Sequence, residues 1–307
     1  MAFQQFGVDI SKYQKGISFD RMVAQGVQFV ILRGAYHLTK DSEFEAFYSQ
    51  AKAKKLPVGV YLYTTATTPQ GARDEADFLL NNVLKGKQFE LPVYIDIEDE
   101  LYYSRPKSSN TAVVRAFCDT LEAADYFTGV YASTYFFATY LDDSQLKSYT
   151  HWVAQWSKQL TYPDSSVVGM WQFGGSTNLL RSNTVAGMVV DQNYMYRDFP
   201  SIIKSYGLNG FRADTAVIKP VAPPADVGTL KKGDENAGVY LLKQNMLLLK
   251  QAGVITQGVD DNNIFGDGTA TAVRQIQRAA KIKEDGIVGA ETIRAVRNLL
   301  KPFISNG

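Results

Sequence analysis

Four acidic residues follow one apolar stretch at the point where a strand should end. The segment LPVYIDIEDE, residues 91–100, places Asp96, Glu98, Asp99 and Glu100 directly after a run of apolar side chains. Side chains alternate along a strand, so Asp96 and Glu98 are expected to point to the same side. Two carboxyl groups held close together do not both ionise freely, so one is kept protonated at neutral pH. A protonated acid beside a carboxylate is the pair that glycoside hydrolysis uses.

Two further acids are predicted to join this pair. Asp9 lies near the end of the first predicted strand, and Asp191 is interpreted as ending the eighth. The carboxyl ends of parallel strands meet at one face of a barrel, where the first and eighth strands are neighbours. We therefore predict Asp9, Asp96, Glu98 and Asp191 as the catalytic group. A single Asp at a strand end is more often a turn or cap residue than a catalyst, and Asp99 and Glu100 are interpreted as solvated or loop-positioning residues.

The elements that position these acids form a regular series. Eight short β-type runs are predicted, at residues 6–10, 28–36, 57–65, 91–98, 128–133, 151–157, 167–173 and 187–194. Amphipathic helical patterns separate the early runs, and one of these helices is predicted to open at Thr68-Pro69. Strand–helix alternation is typical of a parallel α/β sheet, and eight strands suit a TIM-like β/α barrel. The alternative is a doubly wound open sheet, although no glycine-rich phosphate loop follows the first strand.

The sequence changes character after the predicted barrel of residues 1–207. Residues 208–229 are rich in Pro, Ala and Gly without any period, which is typical of a linker. Residues 230–307 carry three helical patterns, so we predict a small three-helix domain. This region also contains an internal repeat, because NNIFGDGTATAV at 262–273 aligns with DGIVGAETIRAV at 285–296.

Aromatic and amide side chains near the strand ends are candidates for binding a sugar. The residues predicted to bind substrate are Tyr61, Tyr63, Tyr131, Gln155, Trp156 and Gln172. Sugar rings stack their apolar faces on aromatic rings, and their hydroxyl groups require polar partners such as glutamine. The alternative interpretation is that about half of these side chains belong to the barrel core.

Other classes of chemistry find little support in the sequence. The single cysteine excludes an internal disulfide, and His37 and His151 lack ligand spacing, so we expect no metal and no cofactor. The net charge of +1 and the lack of a basic–aromatic stripe argue against nucleic acid as a partner. No apolar run approaches a membrane span and the first residues do not form a signal peptide. We therefore expect synthesis in a cytoplasm without membrane insertion.

An ordered set of segments resembles glycoside hydrolase family 25, the muramidases common among phage and bacterial cell-wall lysins. The segments FGVDISKYQKGISF, LPVYIDIE, GVYASTYFF, WVAQWS, MWQF and VDQNY follow in order within about residues 5–200. The resemblance implies a flattened, irregular barrel whose last strands depart from strict alternation. It also implies retaining cleavage of the β-1,4 bond between N-acetylmuramic acid and N-acetylglucosamine. Glu98 then matches the general acid, Asp96 the assisting carboxylate, and Asp9 and Asp191 the supporting acids.

The C-terminal region is similar to the peptidoglycan-binding type 1 domain. Asn262-Asn263 replace the first Asp-Gly of its usual signature, and Ile276 stands where an aromatic residue is common. Together the two resemblances imply a monomeric endolysin with peptidoglycan as substrate and anchor, released to the wall through a membrane lesion. The alternatives are a barrel that binds wall glycan without cutting it, a chitinase-like glycosidase, and a generic three-helix interaction domain.

Overall fold

The computed structural model describes residues 3–205, 207–211, 229–260 and 262–304. The chain divides into two compact units, Met1–Arg212 and Ala213–Gly307. Each unit has its own cluster of buried apolar side chains. Most of the predicted linker, residues 208–229, lies outside the described residues, so the domain boundaries stay predictions.

In the described part of the first unit, eight strands close into a barrel. The strands are β1 Gln5–Ile10, β2 Phe29–Tyr36, β3 Val58–Tyr63, β4 Val93–Asp96, β5 Thr128–Ser133, β6 Thr150–Ala154, β7 Val168–Gly174 and β8 Asp191–Met195. The first seven follow one another around the barrel, and β8 fills the gap between β7 and β1. Because β1 pairs with both β2 and β8, the sheet has no free edge there. The predicted TIM-like barrel is therefore confirmed, and the open-sheet alternative was wrong.

The last strand corrects one prediction about direction. Strands β1 to β7 run parallel, but β8 runs antiparallel to both of its neighbours. Asp191 is the first residue of β8. The prediction that it ends a parallel strand was therefore wrong. Since β8 runs backwards, its start lies at the same face as the carboxyl ends of the other strands. The preceding residues form a separate hairpin, in which Thr184–Val185 pairs with Met188–Val189.

Helices cover the outside of the barrel wall. They are α1 Phe19–Ala24, α2 Phe44–Ala53, α3 Pro69–Leu79, α4 Lys107–Ala123, α5 Thr134–Tyr140 and α6 Phe199–Ser205. The predicted start of α3 is confirmed, because the Thr68 hydroxyl accepts a hydrogen bond of 3.0 Å from the Gly71 amide and Pro69 opens the first turn. Helix α2 packs on β2 and β3, and α4 packs on β4 and β5.

The second unit contains the helices α7 Ala237–Gln251, α8 Asp267–Ala279 and α9 Ala290–Ile304. Its two sequence repeats build the same turn. Asn262 Oδ1 accepts the amide of Ile264 at 3.0 Å, and Asp285 Oδ1 accepts the amide of Ile287 at 3.0 Å. A helix side chain donates to each acceptor: Lys243 on α7 to Asn262, and Gln277 on α8 to Asp285.

Across all described residues, no helix has the length and apolar character needed to span a bilayer.

Candidate active site

Asp9 and Asp191 lie side by side at one face of the barrel. They are directly opposed in the register of β1 and β8. Asp9 is only 6% exposed, and its Oδ2 accepts hydrogen bonds from Asn193 Nδ2 at 2.8 Å and Gln172 Nε2 at 3.1 Å. Burial raises the pKa of Asp9 to about 6, although these two amide donors oppose the rise. Asp9 is therefore a carboxyl group held in position by neutral partners.

Asp96 stands at the end of β4 with one oxygen left without a partner. Its side chain is 4% exposed, and no described residue donates a hydrogen bond to its buried Oδ1. Burial, followed by the charges of Glu98 and Asp9, raises the pKa of Asp96 well above its usual value, while Arg33 opposes the rise. Arg33 is itself paired with Asp41 at 2.8 Å, so it acts on Asp96 without forming an ion pair with it.

Glu98 is the acid most open to an incoming molecule. Ile97 is fully buried, so the alternation of β4 continues past its end and Glu98 follows Asp96 toward the mouth. The Glu98 side chain keeps an exposed surface, and no described residue donates a hydrogen bond to it. Removal of water by the surrounding protein, followed by the charges of Asp9 and Asp99, raises the pKa of Glu98 to about 7. It therefore carries a proton for much of the time near neutral pH.

Asp191 completes the group, and a glycine makes room for it. Burial, followed by the charges of Asp9 and Glu98, raises the pKa of Asp191 to about 8. A Cβ atom on Gly175 would lie 1.9 Å from Asp191 Oδ1 and 2.7 Å from the Trp156 ring, so no larger residue fits there without movement. The structure thus brings together all four predicted acids, and their catalytic roles stay predictions.

Two of the predicted substrate-binding tyrosines line the barrel beside the acids. The rings of Tyr61 and Tyr131 pack against Trp152, with centroids 5.9 and 4.4 Å away. The Tyr61 pKa is raised well above its usual value, first by burial and then by the charges of Asp9 and Asp96, which places its hydroxyl near them. Tyr61 is partly exposed, whereas Tyr131 is buried.

A small network of hydrogen bonds holds the predicted glutamine at the centre of the site. Gln172 Oε1 accepts from the hydroxyl of Tyr131 at 3.0 Å and from Nε1 of Trp156 at 3.1 Å. The Gln172 side chain is buried and donates to Asp9. It therefore positions Asp9, and its predicted contact with a sugar stays untested. Trp156 is 42% exposed, which leaves one of its faces open to a sugar ring.

Two other predicted residues lie at strand ends around the mouth, with Tyr63 as the last residue of β3 and Gln155 directly after β6. Both ends of the Gln155 amide bind Thr161, at 2.8 and 2.9 Å, so this side chain braces the loop that follows β6. Tyr63 stacks on Tyr36 with centroids 5.1 Å apart, and its hydroxyl donates to Asp99 at 3.2 Å. Their contacts with substrate likewise stay predictions.

Three residues that shape the site were not predicted from the sequence. Asn193 binds Asp9, and Trp152 fixes Asn193 by donating to its Oδ1 at 2.8 Å. Asn193 lies two residues from Asp191 on the same strand, so the alternation of the VDQNY segment was a usable signal. Gly175 could not be recognised from the local sequence, because its need for space arises only when β7 and β8 are paired.

No group of His, Cys, Asp or Glu among the described residues is arranged to hold a metal ion.

Comparison with known proteins places these features in a family. Residues 8–180, more than half of the chain, match Glycosyl hydrolases family 25, and residues 238–296 match a peptidoglycan binding domain family. No curated protein matches the chain. Several solved structures share the fold of this chain, although their sequence identity to it is low.

Three of these structures illustrate the likeness. The modular autolysin LytC from Streptococcus pneumoniae is 22% identical with a TM-score of 0.55, and the match covers 63% of this chain and 47% of that one. A family 25 glycosyl hydrolase from Bacillus anthracis is 21% identical with a TM-score of 0.53, covering 62% and 88%. The bacterial lysozyme from Streptomyces coelicolor is 19% identical with a TM-score of 0.51, covering 62% and 90%. The chain therefore covers less than half of the autolysin. Because its residues 8–180 match the family, this chain belongs to family 25 of the glycosyl hydrolases.

Proposed function

We propose that the first unit is an N-acetylmuramidase, an enzyme that hydrolyses the β-1,4 bond between N-acetylmuramic acid and N-acetylglucosamine in bacterial peptidoglycan. One observation carries the proposal: Glu98 is open to solvent, has a pKa of about 7, and stands beside the buried carboxyl of Asp96. When one of these two groups is protonated and the other is ionised, they form the pairing of acid and carboxylate that glycoside hydrolysis needs. Membership of family 25 supports the substrate class.

The chemistry assigns a separate task to each carboxyl group. Glu98, when protonated, gives its proton to the glycosidic oxygen as the bond from that oxygen to the anomeric carbon breaks. Positive charge then develops on the sugar ring, and the carboxyl groups of Asp96, Asp9 and Asp191 stabilise it. Burial first, and then the charges of neighbouring acids, raise the pKa values of Asp96, Glu98 and Asp191, and a positive charge on the sugar ring relieves both effects. Water then adds to the anomeric carbon, and the Glu98 carboxylate takes up the water's proton.

The stereochemical course is proposed as retention. Asp96 would act either by bonding to the anomeric carbon or by holding the acetamide group of the substrate, and Asp9 and Asp191 would orient it. NMR of the first product formed from a defined oligosaccharide tests this proposal. Initial release of the β-anomer supports retention, whereas initial release of the α-anomer contradicts it.

The second unit is proposed to anchor the chain on the wall. Its match to a peptidoglycan binding domain family over residues 238–296 supports this role. Anchoring raises the concentration of glycan strands around the barrel without any change in its active site. We further propose that the protein works as a monomer in the lysis of a host cell, reaching the wall through a membrane lesion.

Two neighbouring glutamates offer a matched test of the proposed function. Glu98→Gln should lower the release of reducing ends from purified peptidoglycan by about 1,000-fold, because it removes the proton donor. Glu100→Gln removes the same charge two residues away and should cut nearly as well as the wild type. Both variants should still pellet with the wall. Equal cutting by Glu98→Gln and wild type would show that Glu98 is not the acid.

The same assay separates the enzyme from a wall lectin. A wild-type protein that pellets with the wall but releases no reducing ends would be a glycan-binding protein. Release of reducing ends from chitin oligomers as well as from peptidoglycan would indicate a glycosidase of broader specificity.

A further inference from the structure

A cavity of about 530 Å³ opens on the outer side of the barrel wall. It is lined by residues of β1 and β8, the end of α1 and the segment that joins β7 to β8. These residues include Phe6, Gln25, Arg181, Ser182, Thr184 and Gln192. The volume is within the range of about 300–1,000 Å³ that is usual for small-molecule sites. We call this space the side cavity.

The side cavity is separate from the catalytic mouth because of the alternation of β8. Asp191 and Asn193 face the mouth, where Asn193 binds Asp9. Gln192 lies between them and therefore points to the opposite side of the wall. Its Nε2 donates to the carbonyl of Ser182 at 2.6 Å, which holds it against the joining segment. The two sites thus share one strand but occupy opposite faces of it.

The side cavity carries positive charge without a matching carboxylate. The guanidinium of Arg181 lies 3.9 Å from the centroid of the Phe6 ring. Such stacking uses the flat face of the guanidinium and leaves the N–H groups at its edge available. No described Asp or Glu forms an ion pair with Arg181. The side chain of Arg21 adds a second positive charge nearby, beside Gly187 of the same segment.

Amide groups in the side cavity complement this charge. Gln192 Oε1 is buried and accepts no hydrogen bond from any described residue, which leaves an acceptor that requires a donor. Gln25 Oε1 accepts the amide of Ala186 at 2.7 Å, so its Nε2 is left as a donor. The cavity therefore offers cationic and neutral donors for a negative group, and one buried acceptor for an N–H or O–H.

We propose that the side cavity is a binding site for a small carboxylate that also carries an N–H or O–H donor. The carboxylate would pair with Arg181 and Gln25, the donor would reach Gln192 Oε1, and an apolar part would lie near Phe6. Acylated sugar acids and acylated peptide ends both have this chemistry. Binding here requires no cleavage of a glycan, so it is independent of the proposed muramidase activity.

The test is a titration of the full chain followed by amide NMR, with three probes. N-acetylmuramic acid represents a sugar acid, N-acetyl-D-alanyl-D-alanine represents a peptide carboxylate, and N-acetylglucosamine is the neutral comparison. At least one of the two acids should shift the resonances of Thr184 and Val185 in a saturable way. The acid that binds more tightly shows whether the ligand is a sugar acid or a peptide carboxylate. N-acetylglucosamine should leave these resonances unchanged.

Charge-removing variants at two exposed arginines sharpen the test. Arg181→Gln should weaken binding of the acid by about tenfold, because a charge-assisted hydrogen bond is lost. Arg73→Gln removes an exposed arginine on α3 that binds only Gln70 among the described residues, and it should bind like the wild type. The proposal is overturned if neither acid shifts Thr184 and Val185, if Arg181→Gln binds as tightly as wild type, or if the neutral sugar binds equally well.

Discussion

The carboxyl groups of the barrel mouth and those of the second unit are held in opposite ways. At the mouth, burial raises the pKa of Asp9 to about 6, and burial followed by the charges of neighbouring acids raises the pKa values of Glu98 and Asp191 to about 7 and 8. In the second unit, the backbone amide of Ile287 and the side chain of Gln277 lower the pKa of Asp285. The ionised form is therefore disfavoured at the mouth and favoured in the turn of the second unit.

The difference follows from the partners that each carboxyl group receives. Asp285 accepts hydrogen bonds from Gln277 and Ile287, which lie eight and two residues away. Asp96 has an oxygen without a partner among the described residues, and Glu98 accepts no hydrogen bond from any of them. A full set of donors stabilises a carboxylate but also makes it a poor acid. Asp9 receives two amide donors, but the mouth withholds such donors from Asp96 and Glu98 and so keeps these two acids reactive, at some cost in stability.

After Glu98→Gln, the largest effect should follow from filling the space beside Asp191. Gly175→Ala places a Cβ atom 1.9 Å from Asp191 Oδ1, so the carboxyl group or the strand must move. A displacement of about 1 Å in a catalytic group can cost about 100-fold in rate, and we expect a loss of that size. Turnover of purified peptidoglycan measures it. Gly71→Ala on α3 is the control, since its nearest contact would be an ordinary 3.4 Å, and it should leave turnover unchanged.

The next effect concerns the dependence of barrel stability on pH. The folded pKa values of Asp9, Glu98 and Asp191 exceed the unfolded values of about 4, so the folded state binds more protons. The free energy of unfolding should therefore fall as pH rises from about 4 to about 8. We expect the free energy of unfolding to fall by several kcal/mol between pH 5 and pH 8, and Asp191→Asn should remove the largest single share of that fall.

Tryptophan fluorescence in urea measures this barrel transition, because the three tryptophans, Trp152, Trp156 and Trp171, all lie in the first unit. Asp74→Asn is the matched control, since Asp74 is an exposed residue of α3. It should leave the pH dependence as it is in the wild type. Stability that rises with pH in this range would contradict the described clustering of the acids.

A smaller effect is expected where the two repeats of the second unit differ. Lys243 is buried and donates to the neutral Asn262 at 2.6 Å, whereas the second repeat pairs the neutral Gln277 with Asp285. Asn262→Asp gives the buried Lys243 an anionic partner, which no described residue supplies, and should stabilise this unit by about 1 kcal/mol at neutral pH. Slower amide hydrogen exchange in α7 measures the gain. Asn263→Asp, at an exposed neighbour, should give no gain, and equal effects of both changes would refute the pairing.

The smallest effect should come from the exposed pair of Arg278 and Glu284. Arg278 lies 2.7 Å from Glu284, and both side chains are exposed to solvent. Exposed ion pairs contribute little, because solvent screens them and their ordering opposes the attraction. Arg278→Gln should leave hydrogen exchange in α8 unchanged. A clear acceleration there would mean that surface charge contributes more to the second unit than the comparison with the mouth implies.

The sequence predicted those features that depend on local patterns. Alternation along one strand was enough to place Asp96 and Glu98 together, and the cap at Thr68 was visible in four residues. The direction of β8 was not predicted, because apolar content does not distinguish parallel from antiparallel pairing in a buried strand. The contacts of Gly175 and Trp152 also escaped prediction, because they depend on the pairing of strands far apart in the sequence.

The antiparallel β8 also determines when, during synthesis of the chain, the proposed activity can first appear. The hydrogen bond from Asn193 to Asp9 joins residues 184 positions apart, and Asp191 faces Asp9 across the same seam. Loop closure over such a separation is slow and comes late in folding. A ribosome-bound chain that still lacks β8 has neither a closed barrel nor a complete set of acids. The proposed wall-cutting activity would then arise only after nearly the whole first unit has been synthesised, and no shorter N-terminal fragment would carry it.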